Sequence, residues 1–342
     1  MIVNGKNIYS ELNKNNNTIN LGIQLLRMIL CFWVIVYHFS RSKKKIVQTF
    51  YHVPTFMFIS FYLSYKIFFT QNLIKIKNRL QRLAIPFIIL PLIDIIIRIF
   101  ISFSKLIKNI KIIIFNLLLQ YITGYKTYVI LWFVHNMLIL TIFFIILFYF
   151  FKEKTSFVII ILIIISYWVQ YSDLNFKLFR KCNYYLVSAS RLAEMLPIAL
   201  TGLILGSIKL LKTLEKNKNY SFFFSFIILY FTYNYNLFTE FRGFKYNGIK
   251  QNIASICLFV LFSLIPFQII NNKIIHNFIK IISNYTGGIY YFQHINNYIL
   301  QYLIHSRFKP ISNCFIIYLM GYFISFIGTK LFRNNKLKYL FN

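Results

Sequence analysis

The sequence predicts an all-α fold, a polytopic bundle of about ten transmembrane helices, and three observations predict it. Of 342 residues, 58% are hydrophobic and only 13% are charged, whereas a soluble domain needs roughly 25% charged residues to cover its surface. Mean hydropathy is +0.62. Apolar runs of about 20 residues, the length that crosses a hydrocarbon core, recur along the whole chain. The runs are too long for the roughly ten-residue strands of a membrane barrel, and alternating β patterning is absent.

In chain order, spans are expected at about 20–40, 49–69, 84–104, 128–151, 156–172, 191–210, 220–238, 250–270, 284–305 and 312–332. Residues 1–19 are a polar, Asn-rich segment, and 333–342 form a short basic tail around the membrane domain 20–332. The first apolar run has no small-residue cleavage pattern and is read as a retained span. The stretch 109–123 is apolar but short, which suits an interfacial or re-entrant helix. Lysines and arginines divide almost evenly between the two sets of loops, so orientation rests on local clues. The basic connection 66–82, with Lys66, Lys75, Lys77, Arg79 and Arg82, favours both termini in the cytoplasm; Arg41–Lys45 argues the other way.

Lys and Arg total 38 against 7 Asp and Glu, a net charge of +31. An anionic partner is one cause. Heavy use of Ile, Asn, Lys, Phe and Tyr, as AT-rich coding produces, is the other. No basic stretch lies in a soluble module, so nucleic acid is not an expected partner. Cys31, Cys182, Cys257 and Cys314 are far apart, which excludes a CxxC pair and a metal-ligand spacing. No metal is expected.

Ionisable side chains inside spans are costly and mark function by default. Arg27 and His38 sit in the first span, eleven positions apart. At about 100° per residue they share a helix face, roughly 16 Å apart along the axis. One long ligand held at two points fits that geometry; snorkelling of each residue to its own interface fits it too. Arg79 and Arg82 share a face at i, i+3, with Pro86 in the first turn of the next span. Two guanidinia at a membrane edge suit phosphates, and they also suit ordinary basic flanking. Trp132-Phe-Val-His135-Asn136 opens the fourth span, as an aromatic belt does. Tyr290 and His294 share a face behind Gly287 and Gly288, which permit close helix approach. Glu194 follows Arg191 by three residues and fits an intrahelical ion pair or an intramembrane acid.

Taken in order, these pieces resemble the acyltransferase 3 family of integral-membrane acyltransferases. That family's first span carries Arg or Lys, ten residues, then His, matched by Arg27 and His38. Its Arg-x-x-Arg is matched by Arg79 and Arg82 followed by Pro86, and its LWF by Leu131-Trp132-Phe133. Its late iYliH resembles Ile289-Tyr290-Tyr291-Phe292-Gln293-His294, with one extra residue before the histidine. Where the family's second span reads close to F-F-x-x-S-G-F, this chain has Phe56-Met-Phe-Ile-Ser60-Phe61-Tyr62, with Phe61 in place of glycine. The resemblance covers about residues 20–330.

The resemblance implies transfer of an acyl group, acetyl first, from acetyl-CoA to a hydroxyl of a cell-surface or exported glycan or glycolipid. His38 would be the general base and Arg27 would orient the site or hold the donor. Arg79 and Arg82 would grip the phosphates of coenzyme A, while Trp132, Tyr290 and His294 would line the substrate site. The expected location is the plasma (inner) membrane. A transporter or flippase of a lipid-linked glycan is the alternative.

Overall fold

The structure, a computed structural model, describes residues 20–39, 52–101, 110–123, 131–171, 184–208, 210–234, 249–265, 273–304 and 311–341. The segment 1–19, the loop Arg41–Lys45 and Cys182 lie outside the described residues. Every regular element among the described residues is helical. In chain order they are α1 (Leu21–Phe39), α2 (His52–Phe69), α3 (Leu73–Ile101), α4 (Ile110–Thr123), α5 (Leu131–Phe151) and α6 (Thr155–Tyr171). Next come α7 (Tyr184–Ser207), α8 (Leu210–Glu215), α9 (Lys218–Asn234) and α10 (Ile249–Leu264). The last are α11 (Lys273–Ser283), α12 (Thr286–Ile304) and α13 (Ile311–Leu331), followed by a 3₁₀ turn at Lys336–Leu340.

Among the described residues, four stretches are long and apolar enough to cross a membrane: Leu21–Phe39, Leu73–Ile97, Leu131–Val169 and Ser312–Leu331. Shorter apolar helices stand between them. Leu131–Val169 contains both α5 and α6, because the chain turns at Lys152, where φ is 44°. The outer faces are apolar: Ile142, Ile146 and Phe150 of α5 and Phe223, Phe224 and Tyr230 of α9 are exposed. A protein surrounded by water rarely leaves so much contiguous apolar surface uncovered, and lipid is the solvent that suits it.

Helix starts follow local chemistry. The Asn20 side chain accepts from Gly22 N at 2.8 Å and opens α1; that of Asn72 accepts from Lys75 N at 3.0 Å and opens α3. The Asn72 cap corrects the sequence reading of 66–82. Only a tight turn around Gln71, with φ 48°, joins α2 to α3. Arg79 and Arg82 therefore lie on α3 itself, and Pro86 and Pro91 are inside that helix rather than in its first turn. Proline removes a ladder hydrogen bond and crowds the preceding turn, yet neighbouring helices let membrane helices tolerate it.

Helix α2 is the hub, packed against α1, α5, α7 and α10. Its closest neighbour is α7: a Cβ built on Gly202 would lie 2.7 Å from the Phe58 carbonyl oxygen, so only glycine allows this approach. Met57, Phe58, Phe61, Phe144, Leu200 and Phe259 form the dry centre of the core. Polar groups cross it in pairs, as where Thr55 donates to Ser255 at 3.1 Å. Helix α11, which the span pattern had passed over, turns Ile279 and Ile282 inward and leaves Ile274, Phe278 and Ile281 exposed. Such a helix suits the membrane interface.

Candidate active site

Each of the four sequence motifs contributes at least one residue to one cavity of about 440 Å³ between α1, α2, α3, α5 and α12. Arg27 enters it from α1, Arg79 and Arg82 from α3, Phe133 from α5 and Tyr290 from α12. The Arg27 guanidinium donates to Thr286 Oγ1 at 3.0 Å, which ties α1 to the first turn of α12. Arg79 is held more fully: it donates to Ser64 Oγ at 2.6 Å, to Ser60 Oγ at 3.0 Å and to Thr141 Oγ1 at 3.2 Å. Its guanidinium carbon also lies 5.0 Å from the centre of the Phe61 ring. Arg82 is exposed and lies 5.8 Å from the Tyr339 ring centre.

None of these three arginines forms an ion pair among the described residues. Neutral hydroxyls and aromatic faces orient the guanidinia without cancelling their charge. A half-buried cluster of like charges is costly unless an anion joins it, and arginine's planar fork matches phosphate oxygens bidentately. An anion entering the cavity would meet three guanidinia with no carboxylate beside them among the described residues.

His38 is not on this cavity. It lies at the other end of the α1 face, with its ring centre 6.1 Å from that of His294. Helix α12 runs alongside α1 in the same direction: Thr286 meets Arg27, Tyr290 lines the cavity, and His294 meets His38. These three residues are spaced i, i+4, i+8 and so share one face. The extra residue before His294 thus leaves it facing the α1 histidine. Buried His52 places a third imidazole at this end, its ring centre 5.3 Å from that of Tyr37.

Trp132 is also off the cavity. Its indole is buried under the Arg191 guanidinium, 4.4 Å from the ring centre, while the next residue, Phe133, does the lining and meets Tyr290 at 5.9 Å. Glu194, on the same helix as Arg191, is buried. Phe61, the departure from the family pattern, does not line the cavity; it packs edge-on against Phe144 at 4.9 Å and supports Arg79 from behind.

Sequence reasoning missed Ser60, Ser64, Thr141 and Thr286, the hydroxyls that aim the arginines. A faint signal was present, since Ser60 and Ser64 are i, i+4 in an otherwise apolar run. Thr141 and Thr286 have no such signal, being 62 and 259 residues from their arginines. Cys31, Cys257 and Cys314 are buried, and no cluster of metal-ligating side chains exists among the described residues.

No curated protein and no solved structure is a significant match to the chain. A family model described as an acyltransferase domain matches residues 20–332, nearly the whole chain. With its motif residues gathered on one cavity and one helix face, this chain belongs to the acyltransferase 3 family of membrane acyltransferases.

Proposed function

We propose that this protein transfers an acyl group, acetyl first, from acyl-CoA to a hydroxyl of a cell-surface or exported glycan or glycolipid. The observation that carries this reading is the cavity bearing Arg27, Arg79 and Arg82 with no ion-pair partner among the described residues. It suits the diphosphate and 3′-phosphate of coenzyme A, and its thioester arm then runs along the α1–α12 face toward His38. The arm would cover about 16 Å of helix axis between Arg27 and His38.

At the far end, His38 takes the proton of the acceptor hydroxyl as its oxygen attacks the thioester carbonyl. The carbon–sulfur bond breaks, and the imidazolium returns its proton to the departing thiolate. The products are the O-acyl ester and free coenzyme A. A placed imidazole contributes about 10²–10⁴-fold to such a step. Tyr290 and His294 would line this path, with His294, its ring centre 6.1 Å from that of His38, holding the acceptor; Trp132 would act only indirectly, from behind Phe133. Ten spans in the plasma membrane, with both termini in the cytoplasm, would put the arginine cavity on the side where acyl-CoA is made.

The test is mass spectrometry of surface glycans from cells with and without the protein. Gain of one acyl mass that depends on the protein supports the reading. Unchanged acyl content with altered glycan export would replace it with the flippase alternative.

A further inference from the structure

The chain does not end at α13. A turn at Phe332–Asn335 reverses it, the Asn335 side chain accepts from Leu337 N at 3.1 Å, and the 3₁₀ segment Lys336–Leu340 folds back under the bundle. Its anchoring is deep. Tyr339 and Leu340 are buried, and Leu340 joins Phe87, Leu90 and Phe292 in the core between α3, α5 and α12. Phe341 stacks on Phe292 at 5.4 Å and on Phe332 at 5.7 Å. Two glycines make room for it. A Cβ on Gly328 would run into the Phe341 ring, and one on Gly288 would lie 2.7 Å from the Phe341 carbonyl oxygen.

This segment touches one of the arginines that line the cavity, Arg82. The Tyr339 hydroxyl meets Asn78 Oδ1 of α3 at 3.4 Å, and its ring lies 5.8 Å from the Arg82 guanidinium carbon. The same ring lies 5.6 Å from Lys338 Nζ. Arg82 and Lys338 thus share one aromatic ring at the cavity's edge. Like charges gathered around a ring gain about 0.5–1 kcal/mol each from its face at exposed sites, and a bound anion lowers the mutual repulsion that water and salt leave.

We propose that the C-terminal segment Lys336–Phe341 is the outer wall of the donor site, with Tyr339 positioning Arg82 and Lys338 supplying a further cation for the anionic head of the donor. This rests on the donor assignment made above. The segment is then part of the binding site rather than a tail, and it makes affinity depend on the number of phosphates the donor carries.

The experiment uses the full-length protein in nanodiscs and measures the dissociation constants of coenzyme A and 3′-dephospho-coenzyme A at two salt concentrations. Lys338→Glu is expected to weaken coenzyme A binding about fivefold or more at low salt, with a smaller effect on the dephospho form and at high salt. Tyr339→Ala is expected to raise KM for the donor while kcat at saturating donor is kept, and Tyr339→Phe, which retains the ring, restores KM. Lys338 is only half-buried, so its variant remains informative if Tyr339→Ala fails to fold. Arg79→Ala serves as the control for the donor site itself. If Arg79→Ala weakens binding while the Lys338 and Tyr339 variants bind both forms as wild type does, the wall is overturned and the donor site stands. If Arg79→Ala also binds normally, both fall together.

Discussion

Replacing Arg79 with alanine removes a cation held by three hydroxyls from two different helices, Ser60 and Ser64 of α2 and Thr141 of α5. No carboxylate pairs with it among the described residues, so its charge is available to a ligand in the cavity. A hydrogen bond to a charged group is worth about 1.5–3 kcal/mol, which corresponds to roughly 10- to 150-fold in donor affinity. Arg79→Lys keeps the charge, but an ammonium cannot span hydroxyls on both sides while also presenting a flat edge to phosphate. It should recover only a small part of that loss. The assay is coenzyme A titration of protein in nanodiscs by calorimetry, with thermal unfolding measured in parallel to establish that the variant is folded. A folded Arg79→Ala protein whose coenzyme A affinity lies within twofold of wild type would refute the reasoning, because the charge would then serve only to join α2, α3 and α5.

Three further outcomes are expected. His38→Ala should lower acyl transfer by at least about 10²-fold while coenzyme A titration is unchanged, since His38 lies at the far end of the α1 face; exchanging Tyr37 and His38 should not restore transfer, because the imidazole then points about 100° away. Transfer by His38→Ala at a rate near wild type would remove its catalytic role. Gly202→Ala forces a methyl to 2.7 Å from the Phe58 carbonyl oxygen and should destabilise the α2–α7 contact by about 1–3 kcal/mol, read as a lower unfolding midpoint in nanodiscs. Cysteines placed at Lys44 and Asn342 should label from opposite sides of the membrane; labelling from the same side would overturn the ten-span topology.

The all-helical membrane class was legible without coordinates because it depends on composition and run length, which hydrocarbon thickness reads directly. The shared face of Arg27 and His38 was legible for a similar reason: within one helix, spacing sets direction. Limits appeared wherever a side chain's meaning depends on a distant helix. The connection 66–82 looked like a loop because it is basic, yet Asn72 caps a helix there, and Lys75 and Lys77 are exposed in its first turns. Trp132 and Phe133 are neighbours with equal claim in sequence, and helix rotation alone sends the second to the cavity and the first under Arg191. Phe61 showed in sequence only as a departure from glycine; its packing against Phe144 and its place beside Arg79 come from the tertiary fold.

What the sequence by itself determined is the chemistry on offer: an apolar helical chain carrying arginines and histidines at helical spacing. What only the tertiary structure decided is their assembly. The hydroxyls of Thr141 and Thr286 reach arginines 62 and 259 residues away, and Tyr339, in the segment read as a tail, packs its ring against Arg82. Local pattern encodes the direction of a side chain from its own helix, whereas its partners are set by which helices pack and at what rotation, and those depend on contacts that no window of sequence contains.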